Sequence, residues 1–164
     1  MTEKQRAARA VERLEKEYPD AICSLNYRDA FQLLIATRLS AQCTDKVVNT
    51  VTPALFQRFP DCYSLAKAEL SEVEKLIKVC GLYKTKAKDL IAIGKMLSEE
   101  FGGTVPDSIE ELTRLSGVGR KTANLVIGDI YKKPAVVTDT HFIRICMRLG
   151  FTKTKDPYKV EMKM

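Results

Sequence analysis

Two glycines one residue apart, Gly117 and Gly119, punctuate a chain that otherwise reads almost entirely as helix. The stretch Leu115 to Ala123 runs Leu-Ser-Gly-Val-Gly-Arg-Lys-Thr-Ala. Glycine tolerates positive φ and lets a backbone approach a ligand closely. A helix N-terminus offers unpaired N–H groups and a partial positive charge, which together suit an anion such as phosphate. Pro106, Ile109, Leu112 and Leu115 supply a first packed helix, and Val118 anchors the turn inward. Arg120, Lys121 and Thr122 place donors at the start of a second helix. The pattern predicts a hairpin that grips a phosphodiester with an amine beside it. A plain helix–helix turn is the simpler alternative.

Helical spacing governs the rest. Val11, Leu14 and Tyr18 mark a charged first helix that Pro19 stops. Asp29 caps a second, Ala30 to Leu39, apolar on most sides and therefore central to a core. Thr44 or Asp45 caps a third that runs to about Phe59, with a kink or break expected at Pro53. Ser71 and Glu74 form a capping box for a short helix ending near Gly81. Thr85 to Phe101 is a long amphipathic helix closed by Gly102 and Gly103, and Pro106-Asp107 opens the helix leading to Leu115. The helix after the hairpin ends around Tyr131, and Ala135-Val136-Val137 is briefly extended. Asp139 to about Leu149 is helical again, and Asp156-Pro157 opens a last amphipathic helix. An all-α bundle of short helices follows.

Charge points the same way. From Glu110 onward eleven lysines and arginines face six acids, whereas residues 1–109 are nearly balanced. Basic charge thus gathers around the glycine hairpin, as a polyanion-binding surface requires. The five cysteines (Cys23, Cys43, Cys62, Cys80 and Cys146) are odd in number and widely spaced, fitting reduced buried thiols and no metal motif. No apolar run approaches the roughly 18 residues of a membrane span. The N-terminus has no signal-peptide pattern. A cytoplasmic protein without membrane contact is expected, nucleoid-associated if bacterial or archaeal.

The motifs resemble the endonuclease III family of helix-hairpin-helix base-excision DNA glycosylases. Leu115 to Asn124 is similar to the family's hairpin. Thr138-Asp139-Thr140-His141 is similar to the Val-Asp-Thr-His segment that follows it, and Leu39-Ser40-Ala41-Gln42 with Thr44-Asp45 and Gly81-Leu82-Tyr83 resemble two further signatures. The four motifs stand in family order, over a match from about residue 5 to the last residue. Ser116 replaces a usual proline and Thr138 a usual valine.

The resemblance implies a helix-hairpin-helix glycosylase fold with a catalytic cleft between two helical lobes. Residues 22–133, with the hairpin motif at 107–131, would form the central domain. Residues 1–21 and 134–164 would form the second lobe, incomplete relative to the family. Lys121 becomes the nucleophile, attacking sugar C1′, displacing the damaged base and leaving a Schiff base that permits β-elimination; its alternative is a phosphate contact. Asp139 becomes the residue that activates the nucleophile and stabilises positive charge on the sugar. Its alternative is a helix cap, and both can hold together. A helix from Lys121 to Tyr131 is about 15 Å long, and eight returning residues span up to about 26 Å, so Asp139 can reach Lys121. Gln42 would probe the space vacated by an extruded nucleotide and Leu82 would wedge between bases. From the residues alone these are an ordinary polar and an ordinary apolar side chain. Gly117, Val118, Gly119, Arg120, Thr122 and His141 complete the expected DNA contacts.

Family members usually bind a 4Fe–4S cluster through four closely spaced C-terminal cysteines. None of the five cysteines matches that run, so a cluster is expected only if a longer native chain supplies the ligands. A shortened chain and a cluster-less member are the two explanations. The expected function is a monomeric DNA glycosylase and AP lyase acting on oxidised pyrimidines and abasic sites in duplex DNA. The alternative is a helix-hairpin-helix DNA-binding module without chemistry, or an inactive fragment. Lys121 argues against the adenine-specific relatives, which do not typically keep the lysine.

Overall fold

The computed structural model describes residues 1–164 as ten helices without a strand. The helices are α1 Glu3–Glu17, α2 Ala30–Ser40, α3 Asp45–Arg58, α4 Cys62–Ala66, α5 Leu70–Leu76, α6 Tyr83–Glu100, α7 Ile109–Leu112, α8 Arg120–Asp129, α9 Thr140–Arg148 and α10 Pro157–Lys163. They fall into two compact units, a terminal unit of Met1–Cys23 with Val136–Met164 and a central unit of Ser24–Ala135.

In the central unit α2 is the buried axis. The side chains of Leu33, Leu34, Ile35, Ala36 and Leu39 are fully enclosed, and α3, α6 and α8 pack around it. Asp29 caps it by accepting from the Gln32 N–H at 2.8 Å. α4 packs closely on α6. A Cβ at Gly94 would lie 2.8 Å from the Ala66 nitrogen, so only glycine lets the two backbones meet.

Four sequence expectations need correction here. Thr44 caps α3, and the helix runs through Pro53 unbroken. Pro53 lies on the exposed face, where water can satisfy the carbonyl it leaves unpaired, while Val48, Val51, Thr52 and Leu55 bury the opposite face and hold both halves together. Ser71 does not cap α5. Burial of Val73 and Ile77 sets a register in which Glu69 holds the cap position, without a side-chain bond, and the helix stops at Leu76 rather than near Gly81. α7 is capped by Ser108 and begins at Ile109, later than the expected opening at Pro106-Asp107; the Asp107 carboxylate pairs with Lys133 at 2.5 Å, which holds it below the usual carboxylate range. α6 begins at Tyr83, two residues ahead of the expected start. The short helix α4, capped by Asp61, had no counterpart in the sequence reading.

The terminal unit joins α1 to α9 and α10 largely through polar contacts. Thr2 and Gln5 form a capping box on α1. The Arg6 guanidinium donates to the Gly150 carbonyl at 3.1 Å and lies over the Phe151 ring, 4.9 Å from its centroid. Lys163 donates to the Phe151 carbonyl and pairs with Glu3 at 2.9 Å, holding that carboxyl below its ordinary value. Ile143, Cys146, Phe151 and Val160 are the buried apolar residues, while Val11, Leu14, Tyr18 and Ile22 on the N-terminal segment stand exposed.

Candidate nucleic-acid interface and active site

The glycine hairpin is built from its apolar underside. Leu112, Leu115 and Val118 are buried, and the Val118 N–H closes the turn on the Leu115 carbonyl at 3.1 Å. Val118 therefore points inward, as the sequence pattern requires, and Gly117 and Gly119 stay exposed. Gly119 occupies the N-cap position of α8 in an extended conformation, with no side chain capping the helix. The first turn beyond it carries Lys121, exposed, and Thr122, half-buried. An uncapped first turn of this kind is a ready anion site.

Gly117 is constrained twice over. Its φ is +69°, and an added Cβ would lie 2.1 Å from Arg38 Nε and 2.8 Å from Asp89 Oδ2. Arg38 cannot simply swing aside, because it is paired with Asp89 at 2.5 Å. Gly119 has φ −96° and open space where a Cβ would go. Gly117→Ala should thus lower stability by about 2–4 kcal/mol, through left-handed strain and disruption of a shielded ion pair. Gly119→Ala should stay within about 1 kcal/mol of the parent. Urea midpoints of the two variants check the contrast.

Gln42 and Leu82 come together on the same unit. Both are exposed and both have left-handed backbones, with φ of 53° and 57°. Only one other non-glycine residue, Lys132, has positive φ. The Gln42 carbonyl would lie 3.3 Å from a Cβ on Gly81, so the two loops touch. Beneath them the fully buried Lys86 donates its ammonium to the Leu39 carbonyl at 2.7 Å, tying α6 to the end of α2. Burial pushes Lys86 below its ordinary pKa. Burial, then the neighbouring Cys43 thiol, pushes Cys80 up to about 11. Non-glycine residues in αL geometry are uncommon and cost of order 1 kcal/mol or more, and such strain gathers at functional sites.

Asp139 and His141 belong to the terminal unit. Asp139 caps α9, its Oδ1 accepting from the Phe142 N–H at 2.7 Å. The capping alternative is thus realised, and Oδ2 is not engaged by the cap. His141 is exposed, with Nδ1 3.0 Å from the Arg144 guanidinium. Thr138 is buried, its hydroxyl donating to the Val136 carbonyl at 3.3 Å.

Residues that sequence reasoning passed over are Arg38, Lys86 and Asp89. Their partners lie 47 and 51 residues away along the chain, beyond any local pattern. Cys62, Cys80 and Cys146 are buried and Cys23 and Cys43 half-buried, and no three His, Cys, Asp or Glu side chains converge as a metal site. A 4Fe–4S cluster needs four thiolates, so these residues do not fit one. No helix is long and apolar enough to cross a membrane.

Comparison with known proteins agrees with this architecture. Residues 35–164 match the HhH-GPD superfamily base excision DNA repair protein family. Endonuclease III of Synechocystis sp. is 50% identical over 161 residues, covering 98% of this chain and 74% of the relative. Endonuclease III of Bacillus subtilis is 44% identical over 139 residues, covering 85% of this chain and 64% of the relative. The chain therefore spans about two-thirds to three-quarters of these proteins. A solved non-covalent endonuclease III–DNA complex superposes with a TM-score of 0.91 at 41% identity, covering 99% of this chain and 77% of that one. With its hairpin, its all-helical fold and these relatives, the chain belongs to the endonuclease III family of the HhH-GPD superfamily.

Proposed function

We propose that this protein is a base-excision DNA glycosylase with AP lyase activity, acting as a monomer on oxidised pyrimidines and abasic sites in duplex DNA. The observation that carries the reading is an exposed lysine, Lys121, in the uncapped first turn of α8, directly after the glycine hairpin. The hairpin backbone and Thr122 hold a phosphate, with Arg120 and His141 as further contacts. The neutral Lys121 amine attacks C1′, the glycosidic bond breaks, and the base departs with its electron pair and takes up a proton. Ring opening gives a protonated Schiff base. Loss of a C2′ proton then expels the 3′ phosphate oxygen, and water releases the lysine. Asp139 accepts a proton from the nucleophile and stabilises the positive charge that develops on the sugar. Gln42 and Leu82 occupy the gap left by the extruded nucleotide, a role their adjacent left-handed loops suit.

Any cluster would need cysteines supplied from outside these residues, and no step depends on one. A DNA substrate is in keeping with a location in the cytoplasm or at the nucleoid.

Incubation with an abasic-site duplex and borohydride tests the reading. A covalent protein–DNA adduct is expected. DNA binding without an adduct would leave a helix-hairpin-helix binding module and sink the enzyme. Affinity should also fall roughly 50-fold between 50 and 200 mM salt if about three phosphates are contacted, because each contact releases counterions. A salt-independent affinity would overturn the nucleic-acid reading altogether.

A further inference from the structure

Three elements of the central unit meet at one carboxylate. Asp89 on α6 uses Oδ2 to accept from Arg38 at the end of α2, with Nε at 3.0 Å and Nη2 at 2.5 Å. Its Oδ1 accepts from the Ser116 hydroxyl at 2.7 Å, at the entrance to the hairpin. The pair is shielded, with the Arg38 and Asp89 side chains only 11% and 15% exposed. At the next residue, Gly117, the space that a Cβ would need is taken by Arg38 and Asp89. No side chain caps α8 on the far side of the turn.

We propose that Asp89, with Arg38 and Ser116, is a positioning unit that holds the hairpin backbone in its phosphate-binding orientation. The proposal rests on the DNA-binding reading above. The Ser116 bond and the Arg38 side chain restrain the Gly117 peptide from opposite ends of the same carboxylate. Gly117 itself, at positive φ and without a side chain, has little intrinsic preference to keep it there. A hairpin ordered before DNA arrives loses less conformational freedom on binding, and that saving appears as affinity. Ser116 is thereby assigned a purpose: its hydroxyl restrains the turn by a hydrogen bond to Asp89. None of the three residues touches the reacting atoms in this scheme.

The test uses the full chain and a fluorescent abasic-analogue duplex, with parallel borohydride trapping and steady-state kinetics on an abasic duplex. Ser116→Ala is expected to weaken affinity about 5- to 20-fold, a part of the roughly 12- to 160-fold that a hydrogen bond to a charged group is worth, since only the ordering of the hairpin is lost. KM should rise by more than kcat falls. Ser116→Thr, which keeps the hydroxyl, should recover affinity to within about twofold of the parent. Asp89→Asn should weaken binding at least as much as Ser116→Ala, and combining the two should add little, since both remove one contact network. Thermal melts identify any variant that has lost its fold, and the Ser116 pair alone then decides the matter. Parental affinity in Ser116→Ala, failure of threonine to rescue, or full additivity with Asp89→Asn would each overturn the clamp. Those results, alongside a parent that binds and traps DNA, refute the clamp and spare the functional reading. A parent that does not bind DNA refutes both.

Discussion

Lys121→Gln should abolish the borohydride-trapped adduct and lower lyase turnover by roughly 10³-fold or more, the scale on which removal of a covalent nucleophile is felt. Glutamine suits the test because it has similar length, keeps a hydrogen-bond donor and matches lysine in helix propensity. Lys121 is exposed in the first turn of α8, so the fold has no packing to lose there. Loss of one cation near the phosphates should weaken duplex affinity by about tenfold at most. Gel analysis of the trapped complex and a binding titration separate the two quantities. A variant that still traps DNA would assign the Schiff base to another amine, and a variant that no longer binds would reduce Lys121 to a phosphate contact.

Asp139→Asn should slow turnover by about 10²- to 10⁴-fold, the range for a positioned acid–base group, with near-normal affinity. The substitution isolates charge from structure. Asp139 Oδ1 accepts the Phe142 N–H that starts α9, and asparagine offers an equivalent acceptor and ranks with aspartate as a cap. α9 should therefore keep its stability. Alanine would remove charge and cap together, at about 1 kcal/mol for the cap. Turnover and melting temperature measured on the asparagine variant decide between the roles. Unchanged turnover would leave Asp139 as a cap alone.

The helices legible in the sequence are those whose signals are local. Asp29, Thr44, Asp139 and Asp156 each accept from an N–H three residues on, and each marks a helix start that periodicity alone suggests. The same logic failed at Ser71, where the motif is present but burial of Val73 and Ile77 selects a register that begins earlier. At Pro106-Asp107 the helix opens later than expected, with Ser108 as its cap and the Asp107 carboxylate paired with Lys133, distant in sequence. At Pro53 local chemistry argued for a break, yet one buried face and one solvated face keep α3 whole.

The candidate site divides along the same line. The glycine hairpin with Val118 turned inward, and an amine in the turn that follows, are determined by residues within a few positions of one another. Each is therefore present in the sequence itself. Only the tertiary structure brings the loops of Gln42 and Leu82 together, with both backbones left-handed. Only it showed why Gly117 must be glycine beyond its turn, and that Ser116 finds a partner at all. Arg38, Asp89 and Ser116 are separated by 51 and 27 residues. A sequence records that a carboxylate, a guanidinium and a hydroxyl exist; which of them meet depends on the packing of α2 against α6, a property of the whole core.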